Sequence, residues 1–195
     1  MKTILIILLS FWGCLCLQAQ VFIGVRDTRY IQAGYQFSPD VYLTFEQSVY
    51  SENYRYQKSR LYAGYKHSWS KFALDANLYG STLWNGGYKD VGAYIRSEYR
   101  LLKPLAIDAT INPHYDSGLK YQTCISVGTS VNVHKEIALT AHYTTIPEFR
   151  ESEKRVRAGL KFRVANLMVH PEVSIPAKSD IKTIRVLCSM RYQFK

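Results

Sequence analysis

The chain has 195 residues and carries 25 Lys and Arg against 15 Asp and Glu, a formal charge of +10. At 47% hydrophobic and 14% aromatic it is too apolar for a disordered polyelectrolyte, and its length suits one domain with a sizeable core. A mean hydropathy of −0.17, with no long apolar run after Leu17, excludes a bundle of membrane-spanning helices.

Residues 1–19 read as an export leader. Lys2 precedes an apolar stretch from Ile4 to Leu17, and Leu17-Gln18-Ala19 supplies a small residue for cleavage. A lipoprotein site at Gly13-Cys14 fits poorly, because bulky Trp12 stands where such sites take a small residue. The Ala19-Gln20 junction resembles that of Bacteroidota precursors. Residues 20–195 are then the working domain. Export permits disulfides, but Cys14 and Cys16 leave with the leader. Cys124 and Cys188 fall on opposite strand faces, so no disulfide is expected, and their spacing is not that of a metal site.

From residue 21 onward, short segments alternate apolar and polar side chains, the period that places the two sets on opposite faces of a strand. In chain order the predicted strands are 21–26, 29–37, 41–50, 58–67, 72–82, 90–101, 105–115, 119–132, 136–145, 155–163, 167–175 and 182–194. Short turns (Ser38–Asp40, Ser68–Lys71, Leu102–Pro104, His134–Glu136, Val164–Asn166) alternate with connections that are mostly longer and more polar. Such an even antiparallel set predicts an all-β, antiparallel transmembrane β-barrel of about twelve strands. Ten strands with 21–26 as an unpaired arm, and a soluble periplasmic barrel or sandwich, are the alternatives. Pro113 and Pro171 remove ladder donors and are expected at strand rims or bulges.

Three features favour a membrane. Strand lengths cluster near the roughly 9–11 residues that cross a bilayer at a tilt. Phe37, Trp69, Phe72, Tyr99, Tyr115, Tyr143, Phe162 and Tyr192 lie near strand ends, as interfacial girdles require. The chain also ends with Met190, Tyr192 and Phe194 on one face, which resembles the C-terminal signal read by the barrel-assembly machinery, although Lys195 follows the last aromatic. The whole mature chain thus resembles the small outer-membrane barrels of Gram-negative bacteria. This implies outer-membrane lipid around it and lipopolysaccharide at its outer rim.

If the apolar face meets lipid, the other face lines a lumen. It carries Arg60, Lys66, Arg96, Arg100, Lys120, Arg157, Lys161, Arg163, Arg185 and Arg191, against Glu46, Asp75, Glu98, Asp108 and Glu172. Twelve strands at ~4.8 Å spacing and ~40° tilt give a backbone radius of roughly 12 Å, which side chains narrow to a passage several Å wide. A basic passage of this bore concentrates small anionic solutes. In strand number and basic lumen it is similar to the twelve-stranded oligogalacturonate porins, which implies a narrow porin for small or acidic solutes. The competing expectation is a lumen closed by cross-strand ion pairs, for instance Arg96, Glu98 and Arg100 around Asp108, in a structural or loop-binding barrel.

No enzyme is expected. The nearest constellation is Asp108, Ser126 and His142, predicted nearly opposite one another but with Ser126 between the other two, the wrong order for a triad. His114, His142 and His170 lie at different heights, so no metal site is expected. Gly24, Gly34, Gly64, Gly92, Gly128 and Gly159 are scattered through strands rather than gathered into a phosphate loop, so no cofactor is expected. They are read as relieving crowding in a curved sheet. An exported chain whose cations are spread over many strands, without an RNA-binding signature, is not a nucleic-acid partner. Residues 146–155 mix both charges and read as a solvated loop, while Trp84 and Tyr88 flank a Gly-Gly turn as rim anchors or a glycan platform.

Overall fold

A computed structural model describes residues 20–49, 57–84, 86–118, 120–148, 151–177 and 184–194; the leader lies outside them. The described residues form one closed antiparallel barrel. Its strands are β1 (Gln20–Arg26), β2 (Tyr30–Gln36), β3 (Val41–Ser48), β4 (Lys58–Ser68), β5 (Phe72–Leu83) and β6 (Lys89–Arg100), then β7 (Leu105–Asp116), β8 (Lys120–His134), β9 (Ile137–Glu148), β10 (Glu151–Val164), β11 (Leu167–Pro176) and β12 (Arg185–Gln193). Each strand pairs with the next, and β1 closes on β12 from Phe22↔Gln193 to Val25↔Met190. That seam removes the ten-strand alternative, because residues 22–25 are paired on both sides.

Two expectations need correction. Residues 146–148 and 151–155 are strand rather than loop: β9 runs to Glu148 and β10 starts at Glu151, with Glu151↔Glu148 and Ser152↔Pro147 in register, while 149 and 150 lie outside the described residues. Polar composition hid the strands because ladder bonds come from the backbone, whatever side chains it carries. Pro113 and Pro171 mark neither rims nor bulges. Each sits inside a strand and opens a two-residue gap on one side of the ladder, between Gly92↔His114 and Ile95↔Ile111 for Pro113 and between Gly159↔Glu172 and Phe162↔Val169 for Pro171. At the first gap Asn112 Nδ2 donates to the Ala93 carbonyl at 2.6 Å, occupying an acceptor beside the gap. The register shift that does occur lies between Asn132 and His134.

The barrel is polar inside and apolar outside. Its most buried side chains are Arg155, Glu46, Ser48 and Ser174, whereas Leu78, Val91, Val127, Val173 and Val186 stand exposed on the outer wall. In water such a surface would be one large apolar patch, so the medium that fits it is hydrocarbon. Aromatic side chains ring both ends. At the short-turn end Trp69 packs on Phe72 and His67, with ring centroids 5.5 and 4.6 Å apart, and Tyr192 on Phe194 at 4.9 Å. At the opposite end Tyr115, Tyr121, Tyr143 and Trp84 are exposed. Trp84 Nε1 donates to Ser59 Oγ at 2.8 Å and to Gln47 Oε1 at 3.2 Å, while Tyr88 lies under the Lys58 ammonium 4.7 Å from its ring centre.

Candidate functional site

One continuous cavity of about 960 Å³ is lined by side chains of all twelve strands, and a smaller one of about 490 Å³ lies beside Pro39, Asp40 and His67. The larger reaches from Lys103 and Lys135 at the short-turn end to Lys58, Tyr88 and Arg155 at the other. Of the expected lumenal cations, Arg60, Lys66, Arg96, Arg100, Arg157, Lys161, Arg163, Arg185 and Arg191 border it, as do Glu46, Asp75, Glu98, Asp108 and Glu172. Lys120 does not: it is exposed beside the β7–β8 turn, with φ +66°. The cavity also holds Arg26, Asp27, Lys58, Asp90 and Arg155, which the sequence reading omitted. Except for Asp27, which sits in a turn, each has the same parity as a lumenal neighbour on its strand (Arg155 with Arg157, Lys58 with Arg60), so alternation carried to the strand ends would have found them.

Near the long-loop end two buried carboxylates gather the cations. Arg26 grips Glu46 with Nε and Nη2, each at 2.8 Å, the two-point geometry that a guanidinium fork favours. Glu46 also accepts from Tyr62 Oη at 2.7 Å and from Gln32 Nε2. Asp90 accepts from Lys58 Nζ at 3.0 Å and Arg60 Nη2 at 3.3 Å. Arg60 also lies over the Tyr79 ring, 4.7 Å from its centre.

At mid-height, strand register decides which groups meet. Asp108, Gly128 and His142 form one row across β7, β8 and β9, and Asp108 Oδ1 and His142 Nδ1 approach to 3.7 Å over the glycine. Ser126 belongs to the next row, between Thr110 and Thr144, so it is not opposite the pair as expected. Arg96 Nε lies 3.5 Å from Asp108. Further round, His170 Nε2 meets Thr140 Oγ1 at 2.9 Å, and Arg157 lies 3.5 Å from Glu172.

The β1–β2 turn enters this network from the side. Asp27 and Thr28 both have left-handed backbones, φ 54° and 57°, unusual for residues with a Cβ. Asp27 N donates to Ser189 Oγ at 3.0 Å, Thr28 N to the Cys188 carbonyl at 2.8 Å, and Arg157 Nη2 reaches Asp27 Oδ1 at 2.7 Å. Burial alone would raise the Asp27 carboxyl pKa, but Arg157 and Arg26 outweigh it and hold it below the ordinary value. Its contribution to stability is therefore present above the unfolded-chain pKa and lost as pH falls through the folded one. If the lumen conducts, Asp27→Ala should release Arg157 into it and move reversal potentials toward the anion side. An unchanged value would show that Arg157 stays neutralised by Glu172.

Lumenal glycines set the bore. A Cβ on Gly34 would fall 2.1 Å from the Phe22 ring, one on Gly64 2.4 Å from Tyr42, and one on Gly128 2.0 Å from His142 Nδ1. Each large side chain lies flat in the space that the glycine of the neighbouring strand leaves, rather than standing into the passage. Arg191 then stacks on Phe22, 3.5 Å from the ring centre. If the lumen conducts, Gly128→Val, by displacing His142 from the wall, should lower unit conductance in planar bilayers while the folded band on unboiled gels persists.

No protein-family model matches the sequence, and no curated protein matches it. Solved structures do. The KdgM porin, in complex with disordered oligogalacturonate, superposes with a TM-score of 0.68 at 11% identity, covering 91% of this chain and 99% of that one. The NanC porin gives 0.54 at 9% identity, again over 91% and 99%. The outer membrane protein Omp33 of Acinetobacter baumannii gives 0.56 at 9% identity, over 91% and 98%. Closed, twelve-stranded, apolar outside and polar within, the chain has the fold of these outer-membrane porins.

Proposed function

We propose that the protein is a narrow outer-membrane porin whose passage favours small or acidic solutes and performs no chemistry on them. The observation that carries this reading is the cavity, bordered by side chains at both mouths and by all twelve strands. Fifteen Lys and Arg and eight Asp and Glu line it. Within a bore only a few Å across, screening over roughly 8 Å at physiological salt leaves this excess active across the whole section. KdgM was captured with oligogalacturonate, an acidic sugar chain, which suits the same class of solute. The ion pairs around Glu46 and Asp90 support the other reading, a closed structural barrel, only if they meet across the lumen.

Planar-bilayer recording separates the two. Discrete current steps with a reversal potential on the anion side are expected; silence, or cation preference, would end the porin reading. The same proposal includes residues 1–19 as a cleaved leader, and N-terminal sequencing of the membrane-derived protein should begin at Gln20. It also includes Met190, Tyr192 and Phe194 as the face read by the assembly machinery, and lipopolysaccharide at the loop end. Short turns face the periplasm in such barrels, so the short-turn end is taken as the periplasmic mouth.

A further inference from the structure

The lumenal cations differ in what faces them. Arg26, Lys58, Arg60, Arg96 and Arg157 each have a carboxylate within 4.0 Å: Glu46, Asp90 for two of them, Asp108, and Asp27 with Glu172. All five lie at mid-height or nearer the long loops. Toward the short turns the pattern ends. Arg100 closes β6, Lys161 and Arg163 lie in the last turnward residues of β10, and Lys103 and Lys135 occupy the β6–β7 and β8–β9 turns. Among the described residues, none of these five has a carboxylate within 4.0 Å, yet all border the cavity. They follow one arc of the mouth, from β6 round to β10; across from it Lys66 donates to Gln36 and Arg191 stacks on Phe22. The arc's own stretch of wall carries Glu98, 3.8 Å from Arg96, and Glu136; Glu98 and Asp108 act on Lys161 from beyond 4.0 Å, against Arg96 and Arg163, so five cations outnumber the acids near them.

An ion pair is nearly neutral to a passing solute, whereas an uncompensated cation at a low-dielectric mouth attracts anions over its full screening length. Several such cations on one arc favour a ligand with more than one negative charge, because each added charge finds its own partner without displacing a carboxylate. Resting on the porin reading above, we propose that anion recognition is localised at the periplasmic mouth, in the arc Arg100, Lys103, Lys135, Lys161 and Arg163, and that this arc binds multivalent anions. The outer half, where Arg26, Lys58, Arg60 and Arg157 face carboxylates, sets the bore and contributes little charge selection. The passage is thus polarised along its axis, selecting where solutes leave or enter the periplasm rather than at the cell surface.

The test uses the full mature chain and inorganic pyrophosphate as the probe. Two variants are compared: the inner triple Lys103→Gln/Lys161→Gln/Arg163→Gln, and the charge-neutral outer double Asp27→Asn/Arg157→Gln. Folding of each is read from heat-shifted gel migration. In a KCl gradient the inner triple should lower the anion-to-cation permeability ratio about tenfold, and raise by a similar factor the pyrophosphate concentration that halves the current. The outer double should leave both near wild type. Retained selectivity and block in the inner triple, or their loss in the outer double, overturns the localisation. Calorimetric titration of pyrophosphate into the detergent-folded protein reads the arc without conduction, with the same loss expected for the triple. Absent current steps with pyrophosphate binding intact would defeat the porin reading alone; current steps with equal binding in wild type and triple would defeat the arc alone.

Discussion

Gly24→Val is expected to abolish the folded barrel, leaving one unfolded band whether or not the sample is boiled. Gly24 pairs with Arg191 in the β1–β12 seam, the joint that converts a sheet into a closed wall. A Cβ there would stand 2.4 Å from the Met190 carbonyl oxygen and 3.2 Å from the Arg191 Cα. Backbone, rather than the end of a flexible side chain, would have to move, and overpacking already costs about 1–3 kcal/mol where side chains can adjust. The seam has only four registered pairs, Phe22 to Val25, whereas β4 and β5 share eleven. It therefore has little reserve, and an unclosed edge in hydrocarbon leaves a row of unsatisfied backbone groups. Gly80→Ala is the control: it faces outward, nothing lies within 4 Å of its added Cβ, and it should fold like the wild type. A normal folded yield for Gly24→Val would mean that closure tolerates displacement of β12.

Glu46→Ala should lower the free energy of unfolding by about 3 kcal/mol, read from the urea midpoint of the barrel in lipid vesicles. Glu46 is 2% exposed and takes donors from β1, β2 and β4. Its loss leaves Arg26 and Tyr62 without their acceptor. Removing one partner of a buried pair typically costs about 3–5 kcal/mol; the lower figure applies because the Arg26 side chain, 35% exposed, can recover some hydration. Glu46→Gln keeps an acceptor for Arg26 but not the charge, and should fall between wild type and alanine. Glu98→Gln, whose contact with Arg96 is 3.8 Å long and partly exposed, should shift the midpoint little. Equal shifts for Glu46→Ala and Glu98→Gln would remove Glu46 as the hub of the loop-end network.

The strands were legible because a two-residue period needs no knowledge of partners. Val41, Leu43 and Phe45 against Tyr42, Thr44 and Glu46 determine the faces of β3 wherever it pairs. Interior positions follow from the same parity, which is why nearly every expected lumenal charge borders the cavity. Partnership was not legible. It depends on register, and a two-residue shift separates Ser126 from the row of Asp108 and His142. Nor could parity foresee Asp27, which comes from a turn and reaches Arg157 three strands away round the wall. The paired state of Arg157 beside unpaired Lys161, four residues along the same face of one strand, has no trace in composition. The proline gaps were misplaced for a related reason: a side-chain amide such as that of Asn112 can serve a neighbouring carbonyl inside the sheet.

The glycine beneath each flat-lying ring makes bore a property of two positions rather than one. Gly128 and His142 share one slot, with room for a single side chain between adjacent strands. Filling the glycine alone crowds the lumen, and trimming the histidine alone leaves a hollow. Exchanging them, Gly128→His with His142→Gly, restores the sum and moves the imidazole by one strand. Width in such a wall is thus inherited jointly, so drift at one member of a pair constrains what its neighbour can become.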